Sequence, residues 1–366
     1  ARNAAARAGG ADEFDLAVRR IVYVWKHFKA GQGYASAVLS VIRTGARWLS
    51  LLSLGWLLAR WRRLKPRSLL DNSPLEQLLK TLVPLDRLPG LIKDGHLQAL
   101  AVTASSYSSG LHVTFFQGSE NLKPWIRSQR LAVHDLITHE HLLASSAIPF
   151  LFPAMPLQID GRTEYFGDGS MRQTAPVAPA IHLGAERILV IGAGRMHEPR
   201  NEVPENVSAT YPSLAQIAGH AMSSIFLDAM AVDIERIRRI NQTMALVPPE
   251  ARQASTLRPV ELLVIAPSEP LDDMAARHID ALPAAVRTLL GGVGVSSSAA
   301  DAKGGALASY LLFEAAYTQE LIALGRADAM RQKSDVCRFF GWADPQAQVN
   351  IAATPTPERR RDPLRC

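Results

Sequence analysis

Cysteine is nearly absent from this chain: of 366 residues only Cys337 and the terminal Cys366 are cysteines. That excludes a disulfide framework and a cysteine-based zinc site, and it suits a reducing compartment. Long apolar runs are also missing. The nearest approach is RWLSLLSLGWLLARWRRLKPR, residues 47–67, with about a dozen mostly apolar residues between arginines, where roughly 20 are needed to span a bilayer. The first ten residues, ARNAAARAGG, have neither the basic start nor the apolar core of a secretory signal, and opening on Ala1 they read as the interior of a longer polypeptide. Acids are missing from one stretch. Arg43, Arg47, Arg60, Arg62, Arg63, Lys65 and Arg67 have no acidic neighbour between them, and they account for the whole net charge of +6. The rest of the chain is close to neutral, which excludes a broad basic face for nucleic acid. Finally, Gly-x-Ser-x-Gly does not occur anywhere, and no early glycine cluster is present.

What is present is the composition of a globular protein: 48% apolar, 7% aromatic and 20% charged residues. Helical spacing is expected over 11–42 with a break at Gly31 to Gly33, and over 68–79, where Asn72 or Ser73 caps and Pro74 takes the first turn. QALAVTASSYSSGLHVTFFQG predicts two strands joined at Ser108 to Gly110. HDLITHEHLLASSAIP, from His134, reads as a helix ending at Pro149. A second short β region follows, with Asp160 and Gly161 as its turn. RILVI (187–191) is the pattern of a strand buried on both faces, and ELLVIA (261–266) is another. Helices are expected over 214–240, 281–290 and 309–324, the last closed by Gly325. Alternating strands and helices predict an α/β layered fold with a largely parallel central sheet flanked by helices, in one main domain over 1–341. Residues 291–305 read as a flexible loop, and 342–366 as a disordered tail.

The chemistry-bearing motif is GDGS. Asp168 lies between Gly167 and Gly169, with Ser170 next. Flanking glycines let the backbone adopt conformations closed to residues with a β-carbon and bring a carboxylate to an open edge. There it can take a proton from a hydroxyl within hydrogen-bond reach. By itself Asp-Gly is also a common hairpin turn.

The neighbourhood gives the motif its weight. ASSAIPFLFP (144–153), a strand and turn at QIDG, then YFGDGS, then APVAPAIHLGAERILVI together resemble the distal half of the patatin-like phospholipase family, and the resemblance covers nearly the whole chain. It rests on the order and spacing of several individually weak signals: an Ala-Ser-x-Ala-x-Pro helix end, an Asp-Gly turn, a Pro-containing segment, the pair Gly184 and Ala185, and a buried strand. The resemblance implies a lipid acyl hydrolase with a serine and an aspartate and no histidine, metal or cofactor. Asp168 matches the family's general base, and Ser170 stands where Gly or Ala is usual. The family's serine sits in a Gly-x-Ser-x-Gly elbow, with a Gly-rich loop supplying N–H groups to the oxyanion. Both are missing here, and Ala1, Arg2, Asn3 and Ala4 match the helix that follows the elbow. The expectation is therefore an N-terminally truncated chain, inactive as it stands, whose nucleophile lies just before Ala1.

Further expectations concern partners. Trp48, Trp56 and Trp61 beside arginines suit a lipid interface at 47–67, with a buried helix carrying a solvated basic end as the other reading. The resemblance implies a lipid substrate, the concentration of charge in one segment speaks against nucleic acid, and the composition leads to the expectation of a cytoplasmic or peripheral-membrane location. Competing constellations are weaker. His134, Asp135, His139 and His141 cluster in sequence, but HEHLL fails the His-Glu-x-x-His zinc pattern at Leu143. IGAGRMH offers two glycines of a dinucleotide fingerprint and has His197 where the third belongs. Ser145 and Ser146 lack the glycines of an elbow and suit a helix end. His27 and His112 fit core or boundary positions.

Overall fold

The computed structural model describes residues 11–34, 68–194, 214–292, 295 and 305–342. The segments 47–67, 195–213 and 343–366 lie outside the described residues, and with them the basic tryptophan-rich stretch, His197 and most of the expected tail. Most of the loop expected over 291–305 lies outside them too.

Two helices lead the chain, α1 (Ala11–Lys26) and the short α2 (Ala30–Gly33), followed by α3 (Ser73–Leu82) and α4 (Leu88–Lys93). At the start of α3, Asp71 accepts from both the N–H (3.0 Å) and the hydroxyl (2.6 Å) of Ser73. Pro74 fills the first turn, where its missing N–H costs nothing. The six-stranded sheet comes next: β1 (Ala99–Ser106), β2 (His112–Gly118), β3 (Ile126–Arg127), β4 (Arg130–His134), β5 (Met155–Ile159) and β6 (Arg162–Asp168), with α5 (His139–Ser145) between β4 and β5.

The spatial order is β3-β4-β2-β1-β6-β5. Every pairing in it is antiparallel except β2 with β4. The protein is thus mixed α/β, but its main sheet is not the largely parallel one expected. The reason lies in the connections. β1–β2 and β5–β6 are joined by hairpins too short for a helical crossover, which leaves only the antiparallel arrangement. The hairpin at Asp160 and Gly161 forms as the sequence predicts, both residues having positive φ (49° and 74°), as a type I′ turn requires. The helix predicted from His134 is shorter than expected: His134 ends β4, and only His139–Ser145 coil. Thr138 and His141 form a capping box, in which the Thr138 N–H donates to His141 Nδ1 at 3.1 Å and the Thr138 hydroxyl accepts from the His141 N–H.

A second sheet pairs β7 (Arg187–Ile191) in parallel with β8 (Glu261–Ile265). Between the sheets run a 3₁₀ turn (Gly169–Arg172) and α6 (Ala178–His182). β7 buries Ile188 and Val190 but leaves Leu189 exposed and Ile191 75% exposed, so it is covered on one face rather than on both. Between β7 and β8 lie α7 (Leu214–Leu246) and α8 (Pro249–Gln253). Residues Gln216–Leu246 are long and apolar enough to cross a membrane by length and composition. Ile234, Ile237 and Met244 are nevertheless buried in the protein, and buried Asp233 accepts the Val177 N–H at 3.0 Å.

The C-terminal helices are α9 (Leu271–Arg277), α10 (Ala284–Gly292), α11 (Gly305–Ser309), α12 (Ala315–Arg331) and α13 (Lys333–Phe340). α12 runs through Gly325, which therefore does not cap it; the left-handed C-cap is Gly341, φ 68°, after α13. Three apolar cores result. One joins Tyr34, Phe152, Met274 and Leu311 among the helices, one lies between α5 and the sheet around Phe115 and Phe166, and one holds α7 against β7 and β8.

Candidate functional site

Asp168 is the last residue of β6 and the first of the turn that follows. Its backbone N–H donates to the Ala147 carbonyl at 2.9 Å. The segment after α5 and the Asp-Gly turn, read from sequence as separate signals, are therefore bonded directly to each other. Ala144 and Ala147 are fully buried at that junction, where larger side chains would hold the two apart. Across the sheet, Ala104 pairs with Asp168 and Ser105 with Gly167, so the carboxylate emerges on the face that carries Phe166 and α5.

Neither Gly167 nor Gly169 has a positive φ. The expected reason for these glycines is therefore corrected: close approach marks them, to backbone at Gly169 and to the end of the half-exposed Tyr107 side chain at Gly167. A β-carbon on Gly167 would stand 2.3 Å from the Tyr107 hydroxyl, and one on Gly169 would stand 2.5 Å from the Thr103 carbonyl oxygen. The turn is pressed against β1.

One Asp168 carboxylate oxygen accepts the Ser170 N–H at 2.8 Å. Burial pushes the carboxyl above the ordinary aspartate value, while the Ser170 N–H and hydroxyl pull it back. The Tyr107 phenol is raised by burial and by Asp168. Burial also pushes Tyr310 up to about 12, with help from Asp272 and Asp168 and against the Ser223 hydroxyl. Both tyrosines remain protonated donors at neutral pH. On the other side of the turn, His112 is buried and held neutral, its pKa lowered by burial to about 4. Ser105 Oγ, its cross-strand partner, donates toward the Gly169 carbonyl at 3.4 Å. The arrangement is a carboxylate of raised proton affinity on a rigid turn, which suits a general base for a hydroxyl delivered to it.

Along the first half of β1, beside this turn, lies a groove of about 770 Å³. Ala99 to Thr103 form its floor, Leu142, Ser145 and Ser146 one wall, and Pro176, Pro179 and Leu183 the other. Ser146 Oγ donates to the Leu142 carbonyl at 3.0 Å, as a helix-end serine does. The pair Gly184 and Ala185 closes α6: Gly184 has φ 96°, and both N–H groups return to carbonyls of the helix.

The histidines expected to share one helix are dispersed. His134 lies on β4 against Phe116, His139 Nε2 meets the Val83 carbonyl at 3.0 Å, and buried His141 packs on Phe115 with Asp135 3.7 Å away. Among the described residues, no three His, Cys, Asp or Glu side chains are gathered as a metal would need. His27 is an exposed boundary residue, its Nδ1 2.8 Å from the Tyr23 carbonyl. Sequence reasoning missed Thr103, Ser105 and Tyr107. The signal in AVTASSY was its polar alternate positions: Thr103 and Ser105 lie on the β1 face opposite the one that Asp168 shares with Ala104, against the glycines of the turn, and Tyr107 follows the strand.

In comparisons with known proteins, no family model matches the chain, and no match is found among curated proteins or solved structures.

Proposed function

We propose that the protein is the distal part of a serine acyl hydrolase of the patatin-like type, acting on fatty acyl esters of phospholipids or acylglycerols. The observation that carries this reading is Asp168 itself. It is a partly buried carboxylate of raised proton affinity, its backbone fixed by the Ala147 carbonyl and its side chain by the Ser170 N–H. In the proposed reaction Asp168 takes the proton of a serine hydroxyl as its oxygen attacks the ester carbonyl. The alcohol then leaves, and water hydrolyses the acyl-enzyme. The reading also requires a serine and oxyanion donors, which are not among the residues gathered around Asp168. Gly167, Gly169 and Ser170 hold the base in position.

The insoluble substrate requires a surface, and residues 47–67 supply tryptophans and arginines for it. Exposed Phe14, Val18 and Trp25 on α1 lie on the same side of their helix and add to that apolar contact. Replacing Arg60, Arg62 and Arg63 with Glu lowers binding to anionic liposomes; unchanged binding overturns the surface assignment. The location that follows is cytoplasmic or peripheral to a membrane.

The decisive test uses the protein extended by the coding sequence immediately upstream of Ala1. Asp168→Asn there reduces ester hydrolysis by on the order of 10⁴ with an unchanged circular dichroism spectrum. Retained turnover reduces Asp168 to a turn residue. A second reading, an inactive lipid-binding or scaffold protein, is favoured by the hydroxyls already next to Asp168: Ser105 is buried and Ser170 belongs to the turn. A stop codon or start methionine just upstream, in place of an encoded elbow, decides for it.

A further inference from the structure

α5 begins with a histidine in a place usually held by Glu or Gln. In a capping box the residue at the third helical position returns an acceptor to the backbone N–H of the cap, and here that residue is His141. Its Nδ1 accepts the Thr138 N–H at 3.1 Å, so the neutral ring keeps a lone pair there and carries its proton on Nε2. Nε2 is buried and finds no hydrogen-bond partner among the described residues. Asp135 Oδ2 lies 3.7 Å away, beyond hydrogen-bond reach, and the Phe115 ring covers the imidazole at 4.6 Å. A Gln at this position would accept at any pH. An imidazole stops accepting once Nδ1 is protonated.

The groups facing the ring oppose one another. Burial pulls the His141 pKa below the ordinary histidine value, against Asp135 from the segment before the helix and Glu140 on the helix itself, which favour the imidazolium. Glu140 is in turn held as a carboxylate first by the Thr138 hydroxyl and more weakly by Lys80 on α3 and by His139, while β2 presents the uncharged Phe115. The folded value lies below the unfolded 6.5, so the box is closed above pH 6.5 and is lost as pH falls through the folded value.

Its loss reaches beyond the first turn. α5 has only seven residues, too few to hold a helix unaided. Its far end leads to Ala147, whose carbonyl accepts the Asp168 N–H at 2.9 Å. We propose that His141 is an acid-released latch: protonation of Nδ1 opens the first turn of α5 and, through Ala147, loosens the turn that carries Asp168. The latch holds Asp168 at neutral pH and lets it move in mild acid, whether or not Asp168 serves as a base in ester hydrolysis.

Amide hydrogen exchange between about pH 7.5 and 4.5, corrected for the intrinsic rate at each pH, tests this on the chain as it stands. Protection of the His141 and Asp168 amides falls on the order of 10-fold as the pH drops, about the worth of one helix cap, while the β7–β8 amides keep theirs. His141→Gln supplies an acceptor at every pH and makes both protections level across the range. Nitrogen-15 NMR of the neutral ring shows Nε2 protonated and Nδ1 bare. Asp168 protection that stays level in the wild type overturns the proposal. So does a fall of equal size in His141→Gln, which places the pH dependence elsewhere, at His112 or at Asp168 itself. An equal fall in the β7–β8 amides overturns it as well, because the whole fold is then opening, and so does a neutral ring protonated at Nδ1.

Discussion

Gly169→Ala separates the two ways in which a glycine can be required. The φ of Gly169 is open to alanine, so any cost has to come from overlap. The new β-carbon stands 2.5 Å from the Thr103 carbonyl oxygen, 2.5 Å from its Oγ1 and 2.8 Å from its carbonyl carbon, where ordinary contact begins at 3.4 Å. The turn and β1 must therefore separate by roughly 0.9 Å, well inside the repulsive wall. Little can yield. Thr103 lies within β1, paired with Thr114 on β2, and Asp168 is tied to Ala147. Overpacking typically costs 1–3 kcal/mol, and two fixed backbones put this site near about 3 kcal/mol. The expected loss in Tm is about 5 °C. Urea unfolding followed by far-ultraviolet circular dichroism measures it against Gly161→Ala. That glycine has nothing within 4 Å of an added β-carbon but φ +74°, so only the left-handed penalty of about 1 kcal/mol applies. Adding Thr103→Ala removes the Oγ1 overlap but not the carbonyl overlap, and so recovers only part of the loss. A Gly169→Ala protein as stable as Gly161→Ala, or one fully rescued by Thr103→Ala, refutes the reasoning.

Three other outcomes are expected. The His112 pKa falls from 6.5 unfolded to about 4 folded, so its contribution is complete above pH 6.5 and is lost as pH falls to 4, by about 3 kcal/mol. Equilibrium unfolding at a series of pH values shows that slope, and His112→Gln flattens it; an unaltered slope would mean that the ring is hydrated. Asp168→Asn stabilises the chain at pH 7, because burial raises the folded pKa and penalises the charged form. The difference from wild type disappears below the unfolded value of 3.8, as differential scanning calorimetry at both pH values will register. Phe166→Ala empties the centre of the β1–α5 core and costs about 3–5 kcal/mol by denaturant titration, since Phe166 is fully buried against Phe115 at 5.5 Å.

Local chemistry was the legible part of the sequence. The β1–β2 hairpin and the Asp160–Gly161 turn follow from alternation and turn residues within a dozen positions, and the strand at 187–191 from its continuous apolar run. What failed was tertiary. RILVI reads as buried on both faces, yet Leu189 and Ile191 are exposed, because apolar content does not say how many neighbours a strand will find. Strand direction failed for the same reason: alternating strands and helices suggested crossovers, where two tight hairpins set the main sheet. At the site, Asp168 was legible through its glycines, but their cause was not. A glycine that admits an approaching carbonyl and one that takes a positive φ look identical in sequence, and only the distance to Thr103 distinguishes them. His112 showed itself by its apolar surroundings, while its place beside the Gly169 carbonyl depends on strand register.

The parallel pair β7–β8 has a consequence for the order of assembly. Its register joins Arg187 to Glu261 across 74 positions of chain, whereas the β1–β2 ladder begins with residues seven apart at Ser105 and His112. Closing the longer loop costs more chain entropy before any contact repays it. On the face away from α7, β8 buries Leu263 but β7 leaves Leu189 and Ile191 exposed, so that side of the pair repays little of the cost. Refolding should therefore proceed from the antiparallel hairpins outward, with the β7–β8 pair arriving last and leaving first. A protease added during refolding should find its cleavage sites between residues 187 and 265 after the β1–β2 region has become resistant.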